Sequence, residues 1–162
     1  MTYNKAIVKI PASTFPGGIT GANLGTPDMD IVLNQHHEYI RILENCGLEL
    51  FILDPDPDHP DSTFVEDIAV LTKYFAVITN PGALSRRSEV HNIEAEINKH
   101  YKDVEHISPP GTLDGGDVLM VRTHFIIGIS ERTNIHGADQ LIRILNKYGL
   151  TGEHITISIL LH

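Results

Sequence analysis

The sequence predicts an α/β or α+β fold assembled from small repeated units. Short apolar, β-branched runs alternate with segments of helical periodicity along the whole length. One such combination recurs: "EDIAVLTKYFAVIT" from Glu66 matches "GDVLMVRTHFIIGI" from Gly116 without a gap. Asp67 then lies over Asp117 and Phe75 over Phe125, each pair fifty residues apart. With 162 residues and 41% hydrophobic content the chain can bury one real core, so a single domain over 1–162 is expected. Its modules are placed at about 1–60, 61–110 and 111–162.

The elements follow in order. Lys5–Ile10 reads as the first strand, and a glycine-rich loop, "FPGGITGANLG", comes after it. In "TPDMD", Thr26 is the expected N-cap, with Pro27 at the first helical position. The helix should run to about Cys46, burying Ile31, Val32, Ile40 and Leu43, and Gly47 should stop it. "LELFILD" follows as a strand, which "DPDPDHPD" cannot continue because each proline removes a ladder donor. Each copy of the repeat reads as a strand, a tight turn at "TKY" or "RTH", a second strand, a loop and a helix. The helices are "RRSEVHNIEAEINKHY" and "NIHGADQLIRILNKYG", leading into the strands "VEHIS" and "HITISILL". The unit is therefore strand, strand, helix, strand, and the first fifty-odd residues read as a degenerate copy of it. Stacked units of this kind place equivalent loops on one side. Here those loops are "DSTFVED", "NPGALSRRSE", "TLDGGD" and "GISERTN".

Composition excludes several functions. Twenty-one acidic residues against twelve basic give a net charge of -9, with no Lys/Arg run to offset it, so a nucleic-acid backbone would be repelled. No window approaches the ~18 apolar residues of a membrane span, and "MTYNKAIVKIPAS" lacks a secretory h-region, so a cytoplasmic protein is expected. Cys46 is the single cysteine, which rules out a disulfide framework and a four-cysteine zinc site. At the end of an amphipathic segment it is expected to be a small buried hydrophobe rather than a nucleophile. "DPDPDHPD" imitates a calcium loop, but the sixth position from Asp54 is His59 and the twelfth is Val65, so that reading fails. Adjacent His36 and His37 make no "HExxH", and neither "GxGxxG" nor "GxxxxGK[ST]" occurs, so no metal and no nucleotide cofactor is expected.

The charged loop residues carry the chemistry. A planar, permanently charged guanidinium is best held by carboxylates in bidentate geometry, and Asp61, Glu66 and Asp67 are suited to that. The alternative is a solvated acidic loop. Arg86, Arg87 and Arg132 lie in the loops the repeat places alongside, where two arginines would clamp an α-carboxylate. Against this stands a surface pair with Glu89 or Glu131, worth at most ~1 kcal/mol; spacing alone does not separate the readings. In "GTLDGGDVL", Gly115 and Gly116 let the backbone approach a neighbour closely, and Asp114 is expected to point from a strained corner, although an ordinary turn has the same composition. His162 ends a strand-like run, where a carboxylate such as Asp114 could position it as a general acid and base.

Together "LGTPD", "DSTFVEDIAV", "PGALSRRSEV", "LDGGDVL", "GISERTN" and the terminal "LLH" resemble the dimethylarginine dimethylaminohydrolases of the guanidino-group-modifying superfamily, which includes arginine deiminases and amidinotransferases. The resemblance covers the whole chain in order. It implies a five-bladed, pentein-type α/β propeller of ββαβ modules, of which this chain supplies about three as an incomplete ring. It also implies hydrolysis of an N-methylated arginine to citrulline and a methylamine through a Cys-His covalent mechanism, without a cofactor. By matching motif, Asp61, Glu66 and Asp67 would bind the guanidinium end with Phe64 beside it. Arg86 and Arg132 would take the substrate carboxylate, and Ile19 would belong to a lid. His162 would be the general acid and base, oriented by Asp114. The family's nucleophilic cysteine lies near the C-terminus of a longer chain, whereas this sequence stops at His162, so it is expected to be inactive alone. Open module faces imply a possible homo-oligomer. The alternatives are an arginine deiminase or amidinotransferase relative, or a non-catalytic module that binds an arginine-like ligand or a partner.

Overall fold

A computed structural model describes residues 3–156 of the chain. The chain divides into two compact units, Met1–Val65 and Glu66–His162.

In the first unit β1 (Lys5–Lys9) and β2 (Glu49–Leu53) pair in parallel, Lys5 opposite Glu49 and Lys9 opposite Leu53, with α1 (Met29–Asn45) as the crossover. This is the degenerate module of the sequence: among the described residues it has the helix and the parallel pair but not a leading hairpin strand. The helix begins later than expected. Asp28 is the N-cap, its Oδ1 accepting from the amides of Asp30 at 2.9 Å and Ile31 at 3.3 Å, and neither Thr26 nor Pro27 is helical. A carboxylate at the positive end of the helix adds a dipole contribution that a threonine cannot make. At the other end Gly47 adopts φ 83° and its amide returns to the Glu44 carbonyl, as expected of a glycine stop. Burial along α1 is less than the pattern suggested: Ile31 is 56% exposed, Val32, Ile40 and Leu43 are half-buried, and no α1 residue is fully buried. Two strands offer too narrow a surface to cover a 17-residue helix. Cys46 caps this helix and is exposed, against the expectation of burial, because the chain turns away at the following glycine.

The second unit repeats one topology twice. β3 (Ala69–Leu71) and β4 (Ala76–Ile78) form an antiparallel hairpin, α2 (Val90–Ile97) follows, and β5 (Val104–His106) pairs in parallel with β4. β6 (Val118–Val121), β7 (His124–Ile129), α3 (Ile135–Lys147) and β8 (Thr151–Thr156) have the same order and the same senses. The expected strand-strand-helix-strand module is thus observed, and among the described residues none of the three sheets closes on itself.

The copies differ in two ways that an ungapped alignment hides. The turn between β3 and β4 is closed by Thr72, whose Oγ1 accepts from the Phe75 amide at 3.0 Å, whereas β6 and β7 join through two residues with Arg122 at φ 59°. Leu84–Glu89 also forms a 3₁₀ segment, so "RRSE" precedes α2 instead of opening it. β8 begins at Thr151, ahead of "HITISILL"; residues 157–161 and His162 lie outside the described residues.

Phe75, Val77, Phe125, Ile127, Leu141 and Leu145 form the centre of the core, each at 1% exposure or less. Phe75 stacks on Tyr148 with ring centroids 4.0 Å apart. At ~1.5–3 kcal/mol for each large apolar side chain, this cluster is the main force holding the two modules together. Asn80 bridges Leu113, which brings the loop after β4 beside the loop before β6. Arg86 and Asp114 sit on those loops, while Glu66 and Asp67 precede β3 and Arg132 follows β7.

Candidate active site

Three of the expected ligand residues lie in the first unit. Asp61 is buried in a turn after the proline-rich segment, and both of its carboxylate oxygens accept from the Ile19 amide, at 3.0 and 3.2 Å. The glycine-rich loop can make this contact because a Cβ on Gly18 would overlap the Asp61 carboxylate. Ile19 and Asp61, forty-two residues apart in sequence, are therefore one feature in space. Phe64 donates its amide to the Asp61 carbonyl and is 42% exposed, its ring tilted against Phe15 at 6.1 Å.

The second unit gathers Glu66, Asp67, Arg86, Asp114 and Arg132. The close approach of two loops achieves this: a Cβ at Gly115 would overlap the Glu66 carbonyl oxygen, and the Gly116 amide donates to Asp67 Oδ1 at 3.2 Å. The expected strain at Asp114 is not observed. Its φ of -101° and ψ of 132° are ordinary extended backbone, and the glycine pair serves close packing instead of an unusual turn. Asp114 is 4% exposed, accepting from the Gly82 amide at Oδ1 (2.8 Å) and from Arg132 Nη1 at Oδ2 (3.1 Å). Gly82 is again a place where only glycine fits, since a Cβ there would strike the backbone of Arg132.

Arg86 is no surface arginine. It is 3% exposed, its Nε and Nη2 engage the Glu89 carboxylate at 2.9 to 3.2 Å, and its Nη1 donates to Asp67 Oδ2 at 2.5 Å. Burial would lower its pKa, but hydrogen bonds and charge from Glu89, then Asp67, outweigh that and raise it. Arg87 turns elsewhere, donating Nε to the Pro81 carbonyl at 3.0 Å. Arg132 is the more accessible cation, its side chain 37% exposed. Partial burial pushes the Glu66 carboxyl above the usual range; its own backbone amide opposes this, Asp67 adds to it and Arg86 opposes it.

Sequence reasoning placed these five residues on neighbouring loops but missed what fixes them. Glu89 was visible only as a surface partner, although it is 3% exposed. Asp117 accepts from Ser130 Oγ at 2.7 Å and Thr133 Oγ1 at 2.6 Å. Its repeat position under Asp67 was the available signal. The result in the second unit is one loop cluster in which Arg86 meets Glu89 and Asp67, and Arg132 meets Asp114. His162 lies outside the described residues.

Comparison with known proteins identifies the family. A family model described as arginine deiminase matches residues 49–162. The chain is 44% identical over 161 residues to the N(G),N(G)-dimethylarginine dimethylaminohydrolase of Pseudomonas aeruginosa, covering 99% of this chain and 63% of that protein. It is 36% identical to the enzyme of the same name from Streptomyces coelicolor, again spanning 63% of its length. A solved structure of a cysteine-to-serine mutant of the Pseudomonas aeruginosa enzyme with citrulline superposes with a TM-score of 0.97 over 100% of this chain and 64% of that one, at 44% identity. The N-terminal domain of the cyanobacterial arginine dihydrolase ArgZ, at 13% identity and a TM-score of 0.83, shares the fold over 95% of this chain and 58% of that one. The chain thus spans somewhat under two thirds of the length of the two curated relatives. The motifs, the repeated module and the matched model agree, and the chain belongs to the arginine deiminase family, with dimethylarginine dimethylaminohydrolases among its relatives.

Proposed function

We propose that this chain supplies the ligand-binding loops of a hydrolase that acts on the guanidino group of N-methylated arginine, giving citrulline and a methylamine. The observation that carries the reading is the second unit's cluster, in which Asp114 meets Arg132 at 3.1 Å while Asp67 is tied to the amide after Gly115. By the family's motifs, Asp61, Glu66 and Asp67 are assigned to the guanidinium end, Phe64 to packing beside it and Ile19 to a lid. Arg132 and the buried Arg86 supply the positive side that takes the α-carboxylate. Modules of about 1–60, 61–110 and 111–162 set these loops out. Partial burial raises the Glu66 pKa, and a cationic guanidinium beside it would oppose that shift by favouring the charged form.

In the reaction a cysteine thiolate attacks the guanidinium carbon, His162 oriented by Asp114 protonates the departing amine, and water then releases citrulline. Cys46, exposed at the cap of α1, is not given that role. The nucleophile is assigned to the share of the relatives' length that this chain does not span. The protein is placed in the cytoplasm, and no helix among the described residues is long and apolar enough to cross a membrane. Self-association through module faces is part of the proposal, supported by exposed Leu119, Val121 and Ile155 on one sheet.

The test is calorimetric titration with arginine, dimethylarginine and citrulline beside an assay for citrulline. Saturable binding without turnover is the expected result. No binding of any guanidino amino acid, or cysteine-dependent turnover by this chain, would overturn it.

A further inference from the structure

We propose that Asp117 is a positioning residue of the ligand site, fixing Asp114 and Arg132 together through two hydroxyls. The inference rests on the reading that Arg132 takes the substrate carboxylate. Thr133 Oγ1 donates to Asp117 Oδ2 at 2.6 Å and accepts from the Asp114 amide at 3.1 Å. Ser130 Oγ donates to the same oxygen at 2.7 Å and accepts from the amides of Arg132 at 3.0 Å and Thr133 at 3.1 Å. Each hydroxyl has one proton. An ionised carboxylate can only accept, so it claims both protons and leaves the lone pairs for the backbone amides. The direction of every bond is then fixed. Thr133 is fully buried, so water cannot take the place of a lost partner. From this base the Asp114 side chain reaches Arg132 Nη1 at 3.1 Å, and the close approach of Gly82 to the Arg132 backbone limits movement of the loop.

The repeat gives independent support. Asp67, the equivalent of Asp117, fastens the loop ahead of its own module's helix by binding Arg86 Nη1 at 2.5 Å. Asp117 fastens the corresponding loop ahead of α3 through Ser130 and Thr133. An aspartate at the head of each hairpin therefore holds the pre-helix loop, and in the third module that loop carries Arg132.

The test compares Asp117→Ala, Thr133→Val and Thr133→Ser with the unaltered chain by two measurements. The first is amide hydrogen exchange at Asp114 and Arg132 without ligand. Protection should fall about tenfold or more in Asp117→Ala, in line with the loss of a buried hydrogen-bond network. Thr133→Val should do the same at Asp114, while Thr133→Ser, which keeps the hydroxyl, should remain near the original. The second is calorimetric affinity for arginine relative to agmatine, which lacks the carboxylate. A general loosening would weaken both equally; misplacement of Arg132 should lower the arginine-over-agmatine ratio about tenfold in Asp117→Ala. Unchanged exchange in Asp117→Ala, or equal losses for both ligands, would overturn the positioning role. If the unaltered chain shows no preference for arginine over agmatine, the carboxylate role of Arg132 fails, and exchange alone decides the role of Asp117.

Discussion

Replacing Glu89 by alanine removes the bidentate partner of a buried guanidinium. Arg86 and Glu89 are each 3% exposed, and their contacts run from Nε to both oxygens, at 3.2 and 3.1 Å, and from Nη2 to one, at 2.9 Å. In Glu89→Ala the cation keeps its bond to Asp67 but loses its other carboxylate. Breaking one side of a buried pair costs ~3–5 kcal/mol, because the remaining charge is left uncompensated. That is a large share of the ~5–15 kcal/mol by which a domain is stable. Because the chain has no tryptophan, urea denaturation is followed by circular dichroism. The midpoint should fall sharply with little change in slope. A double replacement, Arg86→Met with Glu89→Met, should cost less than Glu89→Ala alone, since it leaves no unpaired buried charge, and the Asp67 side chain, 22% exposed, can turn to water. If Glu89→Ala lies within ~1 kcal/mol of the original, the pair behaves as a solvated one and the reasoning is wrong.

Gly115→Ala should cost ~1–3 kcal/mol and weaken ligand binding, because its Cβ meets the carbonyl oxygens of Glu66 and Ala69, backbone that yields only if two loops separate; denaturation and calorimetry measure the two effects. Glu66 is protonated at a higher pH folded than unfolded, so its contribution to stability falls as pH rises through the interval between the two pKa values. Glu66→Gln should remove that pH dependence, and affinity for a cationic guanidino ligand should drop when acidification through the raised pKa neutralises the carboxyl. Cys46 should react rapidly with a thiol reagent, and Cys46→Ser should leave arginine affinity unchanged, as measured by calorimetry. Arg122→Asn should raise the melting temperature, because the left-handed φ of 59° costs an arginine ~1–2 kcal/mol that asparagine largely avoids.

The elements that depend on periodicity were legible: strands β1 and β2 with the helix between them, both copies of the strand-strand-helix-strand module, and Gly47 as a helix stop. What escaped was decided by competition between near neighbours or by distant contacts. Thr26 and Asp28 are both acceptable N-caps, and charge at the helix end decided between them. Ile31 and Cys46 carry the pattern of buried residues, but a two-stranded sheet has no surface to receive them. Arg86 and Glu89, three apart, look the same as a surface pair or as a buried one, since the atoms that exclude water come from elsewhere in the chain. The shift of the turn by one residue between the hairpins, Lys73–Tyr74 in one and Arg122–Thr123 in the other, is equally invisible, because it leaves the ungapped alignment intact.

Divergence within the repeat explains how one scaffold supplies both charges of the candidate site. At the head of the second module's hairpin Asp67 engages an arginine and, through Oδ1, the Gly116 amide of the next loop. At the head of the third, Asp117 engages two neutral hydroxyls. Neutral partners leave Arg132 without a carboxylate from its own module's hairpin, so it turns to Asp114 and keeps part of its side chain in solvent. Arg86 is consumed by Glu89 and Asp67 and stays inside. The two pre-helix loops thus carry a buried cation held by two carboxylates in one copy and a more accessible one in the other. Substituting Ser130 and Thr133 by residues that cannot donate should alter the behaviour of Arg132 and leave Arg86 as it is.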